Sequence, residues 1–161
     1  MKKVLFLSSS DGVFVSKDLG IISQRYNVTK MDINLRNNPE EIKKLISAVR
    51  SHDLVFGWFV TPTVSIATLI SSFLKTPVVL VAGGYDVARE PEIGYGLTLD
   101  KKYYYLTKSA LCFADKILAV SDSNKKEVLN ICPQANVETV YVGAVDTEKF
   151  KPGKSRKEDV V

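Results

Sequence analysis

TPVVLVAGGYDVAREPEIGYG, residues 76–96, decides the fold. Its first part, Val78-Val79-Leu80-Val81-Ala82, is a continuous apolar run of strand length, the mark of a strand buried on both faces of a parallel sheet. The run stops at Gly83 and Gly84. Two glycines let the backbone turn tightly and approach a ligand closely, and in open α/β sheets ligands sit at the carboxyl ends of strands. The segment that follows carries Tyr85, Asp86, Arg89, Glu90, Glu92 and Tyr95, punctuated by Pro91, Gly94 and Gly96. That density of polar groups exceeds what a plain connector needs.

The same grammar repeats on either side. Residues 3–7 form a short apolar run broken by Ser8-Ser9-Ser10-Asp11-Gly12, and Val15, Leu19 and Ile22 then recur at helical spacing. Strand, loop and helix in that order set backbone N–H groups and a helix N-terminus beside Ser10, Asp11 and Gly12, a seat for an anion or a hydroxyl-rich ligand. A tight turn with Asp11 as N-cap is the plainer alternative. Neither G-x-G-x-x-G nor a Walker A motif is present. Residues 27–33 read as a second, marginal strand. A helix follows, with Asn38 as cap, Pro39 in the first turn, Glu40 and Glu41 at its positive end, and Ile42, Leu45, Ile46 and Val49 as core stripe.

DLVFGWFV, residues 53–60, is the third strand. His52, the only histidine, precedes it at the sheet's amino end, away from where ligands gather, while Trp58 near the other end either packs in the core or lines a cleft. Thr61-Pro62 opens a helix whose expected core face is Ile66, Leu69, Ile70, Phe73 and Leu74. After the central strand and its loop, residues 100–114 predict a helix with Tyr103, Leu106, Ala110 and Phe113 inward and Lys101, Tyr105 and Lys108 opposite. Such a basic, tyrosine-bearing face suits an anionic lipid surface or a lipid-phosphate acceptor, or is simply a solvated face. KILAV (116–120) is a fifth strand, and Ser121-Asp122-Ser123 caps a helix with Val128, Leu129 and Cys132 inward; residues 137–142 are a sixth strand. Strands alternating with helices predict an α/β fold: a doubly wound parallel sheet of about six strands with helices on both faces.

Composition sets the bounds. At 161 residues, 45% hydrophobic and 25% charged, the chain has the make-up of one globular domain. A net charge of +4 fits an anionic ligand or a membrane surface and is too mild to indicate nucleic acid. Cys112 and Cys132 are far apart in helix-like segments, so buried free thiols are expected, and no metal-ligand cluster is visible. The opening MKKVLFLSSS lacks the apolar length and cleavage site of a signal peptide, and no apolar run approaches the roughly 18 residues of a membrane span. A cytoplasmic protein is expected, with peripheral contact at the inner face of the membrane as an option.

Three segments in order, PVVLVAGGYD with REPEIGYG, ADKILAVSDSNKKEV, and VETVYVGAVDTEKFKP, make residues 3–152 resemble the N-terminal Rossmann-like domain of a GT-B glycosyltransferase, of the retaining family 4 type. The resemblance implies that residues 1–152 bind the acceptor, a glycan or lipid-linked molecule. Residues 153–161 are then a linker to a C-terminal domain that holds the nucleotide-sugar donor, so no cofactor is expected on this chain. It implies acceptor-binding roles for Ser10, Asp11, Gly12, Gly83, Gly84, Tyr85, Glu90 and Tyr95. Many members carry a histidine where this sequence has Gly83, which leaves Asp86 as the nearest acidic candidate to meet an acceptor hydroxyl in catalysis. Glycosyl transfer from a nucleotide diphosphate rests on an oriented hydroxyl and a stabilised leaving group. The isolated chain is expected to turn over nothing and, with apolar surface uncovered, to self-associate. A stand-alone binding module on the same fold, or half of a nucleotide-sugar epimerase, is the alternative.

Overall fold

The computed structural model describes residues 1–32, 39–141 and 147–151. Along the chain run β1 (Lys3–Ser8), α1 (Val13–Ser23), β2 (Asn27–Met31), α2 (Pro39–Arg50), β3 (Leu54–Trp58), α3 (Pro62–Leu74), β4 (Val78–Ala82), α4 (Lys101–Phe113), β5 (Lys116–Ala119), α5 (Asp122–Ile131) and β6 (Val137–Thr139). The strands form one sheet in the order β2-β1-β3-β4-β5-β6, every neighbouring pair parallel. This is the expected α/β, Rossmann-like doubly wound fold. The expected cap Asn38, the linker at 153–161 and the ends of the second and sixth strands at Ile33 and Val142 lie outside the described residues.

Strand order dictates where the helices go. The chain steps from β1 outward to β2, then returns past β1 and advances strand by strand; with right-handed crossovers the outward step and the forward steps place their helices on opposite faces. One core therefore packs α2, α3, α4 and α5 on Leu5, Leu7, Val55, Val78, Leu80, Ala82 and Ile117. The other packs α1, through Val15, Leu19 and Ile22, on Val4, Phe6, Phe56, Trp58 and Val81. Successive residues of a strand alternate between the two cores, which is why VVLVA reads as unbroken apolar sequence. Full burial of each such Leu or Val contributes roughly 1.5–3 kcal/mol.

The uneven layering leaves the α1 face of β4, β5 and β6 open. A cleft of about 190 Å³ lies there, walled by Phe14 and Ile21 of α1 and floored by Trp58, Val81, Leu118 and Val120, with the exposed Val140 and Tyr141 at its rim. Trp58 meets both of its expectations: it is buried, its indole N–H donates to Asp18 Oδ2 at 2.8 Å, and its ring lines this cleft.

Several local expectations change in the folded chain. Asp11 does not cap α1: its carboxylate pairs with Lys30 on β2, and the N-cap position falls to Gly12, with no side-chain cap. In α2 the buried residues are Leu45, Ala48 and Val49, and Ile42 is exposed. In α3 the fully buried residues are the small ones, Val64, Ser65, Ala67, Thr68 and Ser71; the expected Ile66, Ile70 and Leu74 pack half-buried against the same core, while Phe73 points to solvent. The hydroxyls of Thr68 and Ser71 donate to Val64 O and Ala67 O, 2.9 and 2.8 Å away, one turn back on their own helix, so these side chains pack as small apolar ones between α2 and α4. The inward stripe of α4 keeps the expected Ala110 but is otherwise Tyr104, Thr107 and Leu111 instead of Tyr103, Leu106 and Phe113. On α5 Val128 and Ile131 are buried, as is Cys132 just beyond its end, and Leu129 is only half-buried.

Cys112 and Cys132, expected as free thiols, are bonded to each other. They stand one helix-strand-helix repeat apart, and in parallel α/β packing one repeat returns the chain to the same end of the helix layer. The last turn of α4 thus meets the end of α5, with Cα atoms 5.8 Å apart. The bond closes a loop of 20 residues, for which chain entropy assigns about 3 kcal/mol. His52 is at the amino end as expected, its ring nitrogens bonded to Ala48 O and Thr29 Oγ1 at 2.7 and 2.9 Å.

Candidate functional site at the carboxyl edge of the sheet

The strand order reverses between β1 and β3, and ligands in open α/β sheets bind outside the carboxyl ends at such a switch point. The loops after β1, β3 and β4 lie along this edge. The first is stiffened by its own serines: Ser8 Oγ donates to Ser10 O at 2.9 Å and accepts from Ser10 N at 3.1 Å, and Ser10 Oγ accepts from Gly12 N at 3.1 Å. Ser10 is half-buried, Asp11 and Gly12 exposed.

At the end of β3 the backbone departs from ordinary geometry. Phe59 has φ +62°, a left-handed conformation that a bulky residue adopts only when its surroundings enforce it. Two bonds hold it. Phe59 N donates to Val81 O at 3.0 Å, and Val60 N donates to Asp86 Oδ2 at 2.7 Å. Its ring lies edge-on to Trp58, centroids 5.0 Å apart, and directly over Gly83. A Cβ on Gly83 would stand 2.2 Å from that ring, so glycine at this position is what makes room for Phe59. Any side chain here would require the ring to move.

Asp86 ties these parts together. It is 3% exposed, and besides Val60 N its carboxylate accepts from Gly84 N at 2.8 Å and from Gly83 N at 3.1 and 3.3 Å. Burial pushes its carboxyl above the usual carboxylate range, and the N–H groups of Val60, Gly83 and Gly84 pull the other way. Both oxygens are committed to backbone donors, so the geometry gives Asp86 a positioning role, clamping the exit of β3 to the turn after β4.

Beyond the clamp the loop folds into a compact hairpin. Glu90 and Tyr95 exchange backbone bonds at 2.8 and 3.0 Å around a single 3₁₀ turn at Pro91–Ile93. Leu97 N donates to Tyr85 O at 2.8 Å, and Thr98 Oγ1 to Ala88 O at 2.6 Å. Tyr85 and Tyr95 meet edge to face, centroids 5.3 Å apart, and both rings stay about half exposed. The open side of Gly84 faces the Tyr95 hydroxyl and the amide of Asn124 on α5. Asn124 was not singled out in the sequence; its position three residues after the cap Ser121, whose Oγ accepts from Asn124 N at 3.1 Å, is the signal that places it.

Gly83, Gly84, Tyr85, Asp86, Glu90 and Tyr95 thus belong to one ordered loop, while Ser10, Asp11 and Gly12 sit at the same edge but two strands away, across β3. Lys101, Tyr105 and Lys108 are elsewhere, exposed on α4. Among the described residues no cluster of His, Cys, Asp or Glu is arranged to hold a metal, and no helix is long and apolar enough to cross a membrane. No protein-family model matches the chain, and no curated protein does.

Proposed function

We propose that this chain is the acceptor-binding domain of a nucleotide-sugar-dependent glycosyltransferase of the GT-B kind, taking a glycan or lipid-linked acceptor. The observation that carries the reading is the loop of residues 83–99, a rigid hairpin that presents two tyrosine rings and Glu90 beside an open glycine at the carboxyl edge. Rings with exposed faces and hydroxyls, flanked by a carboxylate and an amide, suit a sugar. Oriented binding of one hydroxyl is what such a domain contributes to transfer. Donor phosphates would be met by a C-terminal domain.

The exposed Lys101, Tyr105 and Lys108 support peripheral contact with an anionic membrane from the cytoplasmic side. In a reducing cytoplasm Cys112 and Cys132 would be thiols, and the bond between them would form only on oxidation. The open cleft beside α1 is the surface on which self-association of the isolated chain would occur.

Phe59 favours a second reading, a binding module without catalysis, because its ring fills the space beside Gly83, the position where many of the resembled proteins carry a histidine. Reconstitution separates the two. The chain alone, incubated with UDP- and GDP-sugars and a panel of glycan and polyprenyl-phosphate acceptors, is expected to yield no product. The same chain joined to a family 4 donor domain is expected to transfer sugar. Turnover by the chain alone, or none by a correctly folded fusion that binds nucleotide sugar, would overturn the glycosyltransferase reading.

A further inference from the structure

The chain's two cysteines meet at the C-terminal ends of α4 and α5, the ends of those helices that lie at the amino edge of the sheet. Their surroundings differ. Cys132 is fully buried in the core that α4 and α5 share, while Cys112 is half-buried and its Sγ accepts from Nε2 of the exposed Gln134 at 3.4 Å. A thiolate arriving from solvent therefore reaches Cys112 first. The bond also fastens a part of the sheet with little other support. Among the described residues α5 buries only Val128 and Ile131, and β6 is an edge strand of three residues whose side chains are half-buried or exposed. The Thr139 and Tyr141 hydroxyls donate to the Asp122 carboxylate at 2.6 and 2.8 Å, tying β6 and the residues after it to α5. α4, in contrast, packs chiefly on α3 and touches α5 little, so the sulfur bridge is the strongest tie between the terminal β5–α5–β6 repeat and the helix before it.

We propose that Cys112 and Cys132 form a thiol–disulfide switch, entered at Cys112, that fastens the β5–α5–β6 repeat when oxidised and lets it open locally when reduced. Reduction runs through two exchanges with a low-molecular-weight thiol. Its thiolate attacks Cys112 Sγ, the S–S bond breaks, and Cys132 leaves as a thiolate that takes up a proton. A second thiolate then displaces Cys112 from the mixed disulfide, giving the dithiol chain and the small molecule's own disulfide. Oxidation is the reverse, with that small disulfide as oxidant. The sulfurs lie at the far end of α5 from the candidate site, and the effect reaches the site through Asn124 at the near end. Its amide donates to Ala82 O at 3.4 Å and faces the open side of Gly84, so each opening of the repeat withdraws one wall of the site.

Hydrogen exchange of the full chain, oxidised with glutathione disulfide or reduced with dithiothreitol, tests the switch. Reduction is expected to lower the protection of amides in residues 116–139 by about 100-fold, the constraint that a closed loop of 20 residues places on the opened repeat, and to leave β1, β3 and the helices packed on them unchanged. Cys112→Ala, at the half-buried position, is expected to give the reduced pattern with or without dithiothreitol. In the reduced wild-type chain, peptide mapping after an acid quench is expected to find glutathione first on Cys112, and Cys132→Ala is expected to keep that mixed disulfide as its end product. Protection lost equally across the whole sheet makes the bond a general stabiliser and overturns the switch. Protection unchanged by reduction, no bond formed by glutathione disulfide, or first attachment at Cys132 overturns it as well.

Discussion

Asp86→Ala is expected to destabilise the protein by about 3–5 kcal/mol, read as a fall in the urea midpoint at unchanged slope. The substitution strands three backbone donors, Val60 N, Gly83 N and Gly84 N, and Val60 is fully buried. An unsatisfied buried N–H costs about 1–3 kcal/mol, and water reaches the two half-buried glycines more easily than Val60. The clamp also holds the left-handed Phe59, so its loss frees the end of β3 to relax. Asp86→Asn, keeping one acceptor oxygen, is expected to recover about half of the loss. The two variants differ from wild type in pH dependence as well. Burial holds the Asp86 carboxyl above the ordinary range, so the native state binds its proton more tightly than the unfolded chain does. Its contribution is therefore largest at low pH and falls as pH rises through the folded pKa, a slope that Asp86→Asn lacks. A midpoint within about 0.5 kcal/mol of wild type in Asp86→Ala would refute the clamp.

The second large effect belongs to Gly96. Its φ of +123° is open to glycine and costly for any other residue, and a Cβ there would stand 2.0 Å from Ala88 O and 2.4 Å from Ala88 C. These are backbone atoms that cannot step aside as a side-chain tip can. Gly96→Ala is expected to cost about 3 kcal/mol or more and to break the Leu97–Tyr85 and Thr98–Ala88 bonds that close the hairpin. Hydrogen exchange at Leu97 N–H measures it directly: loss of protection confined to residues 85–99, with the sheet still protected, is the expected pattern. Gly94→Ala is the control. Its φ is +65° but nothing lies within 4 Å of the added carbon, so only the left-handed penalty of about 1–2 kcal/mol applies.

Strands were legible because burial on both faces leaves an unbroken apolar run, and VVLVA and LVFGW need no context to be read. The inward faces of α3 and α4 were legible only in part: Ile66, Ile70, Leu74 and Ala110 do pack on the core. Thr68, Ser71 and Thr107 look polar in sequence, yet Thr68 and Ser71 satisfy their hydroxyls on their own helix and become the small residues that let α3 pack closely, while Phe73 and Phe113, apolar in sequence, are left outside. The cysteine bond was hidden for a topological reason, since only the layer arrangement brings positions one repeat apart to the same helix ends. At the site, the sequence marked Gly83, Gly84 and Asp86 as special but not the division of labour among them. That Asp86 serves the backbone, and that Phe59 from the neighbouring strand fills the space over Gly83, depends on β3 and β4 lying side by side. Asn124 went unnoticed because it sits on an ordinary-looking helix and gains meaning only from the loop packed against it.

A ligand-observed NMR screen of this chain against two pools, acceptor-like glycans with polyprenyl phosphates in one and nucleotide sugars in the other, is the most direct test of an acceptor-binding edge. Saturation transfer to members of the acceptor pool from Tyr85 and Tyr95, lost in Gly96→Ala, with little transfer to nucleotide sugars, is the expected result. Tight nucleotide-sugar binding with no response from the acceptor pool would contradict it.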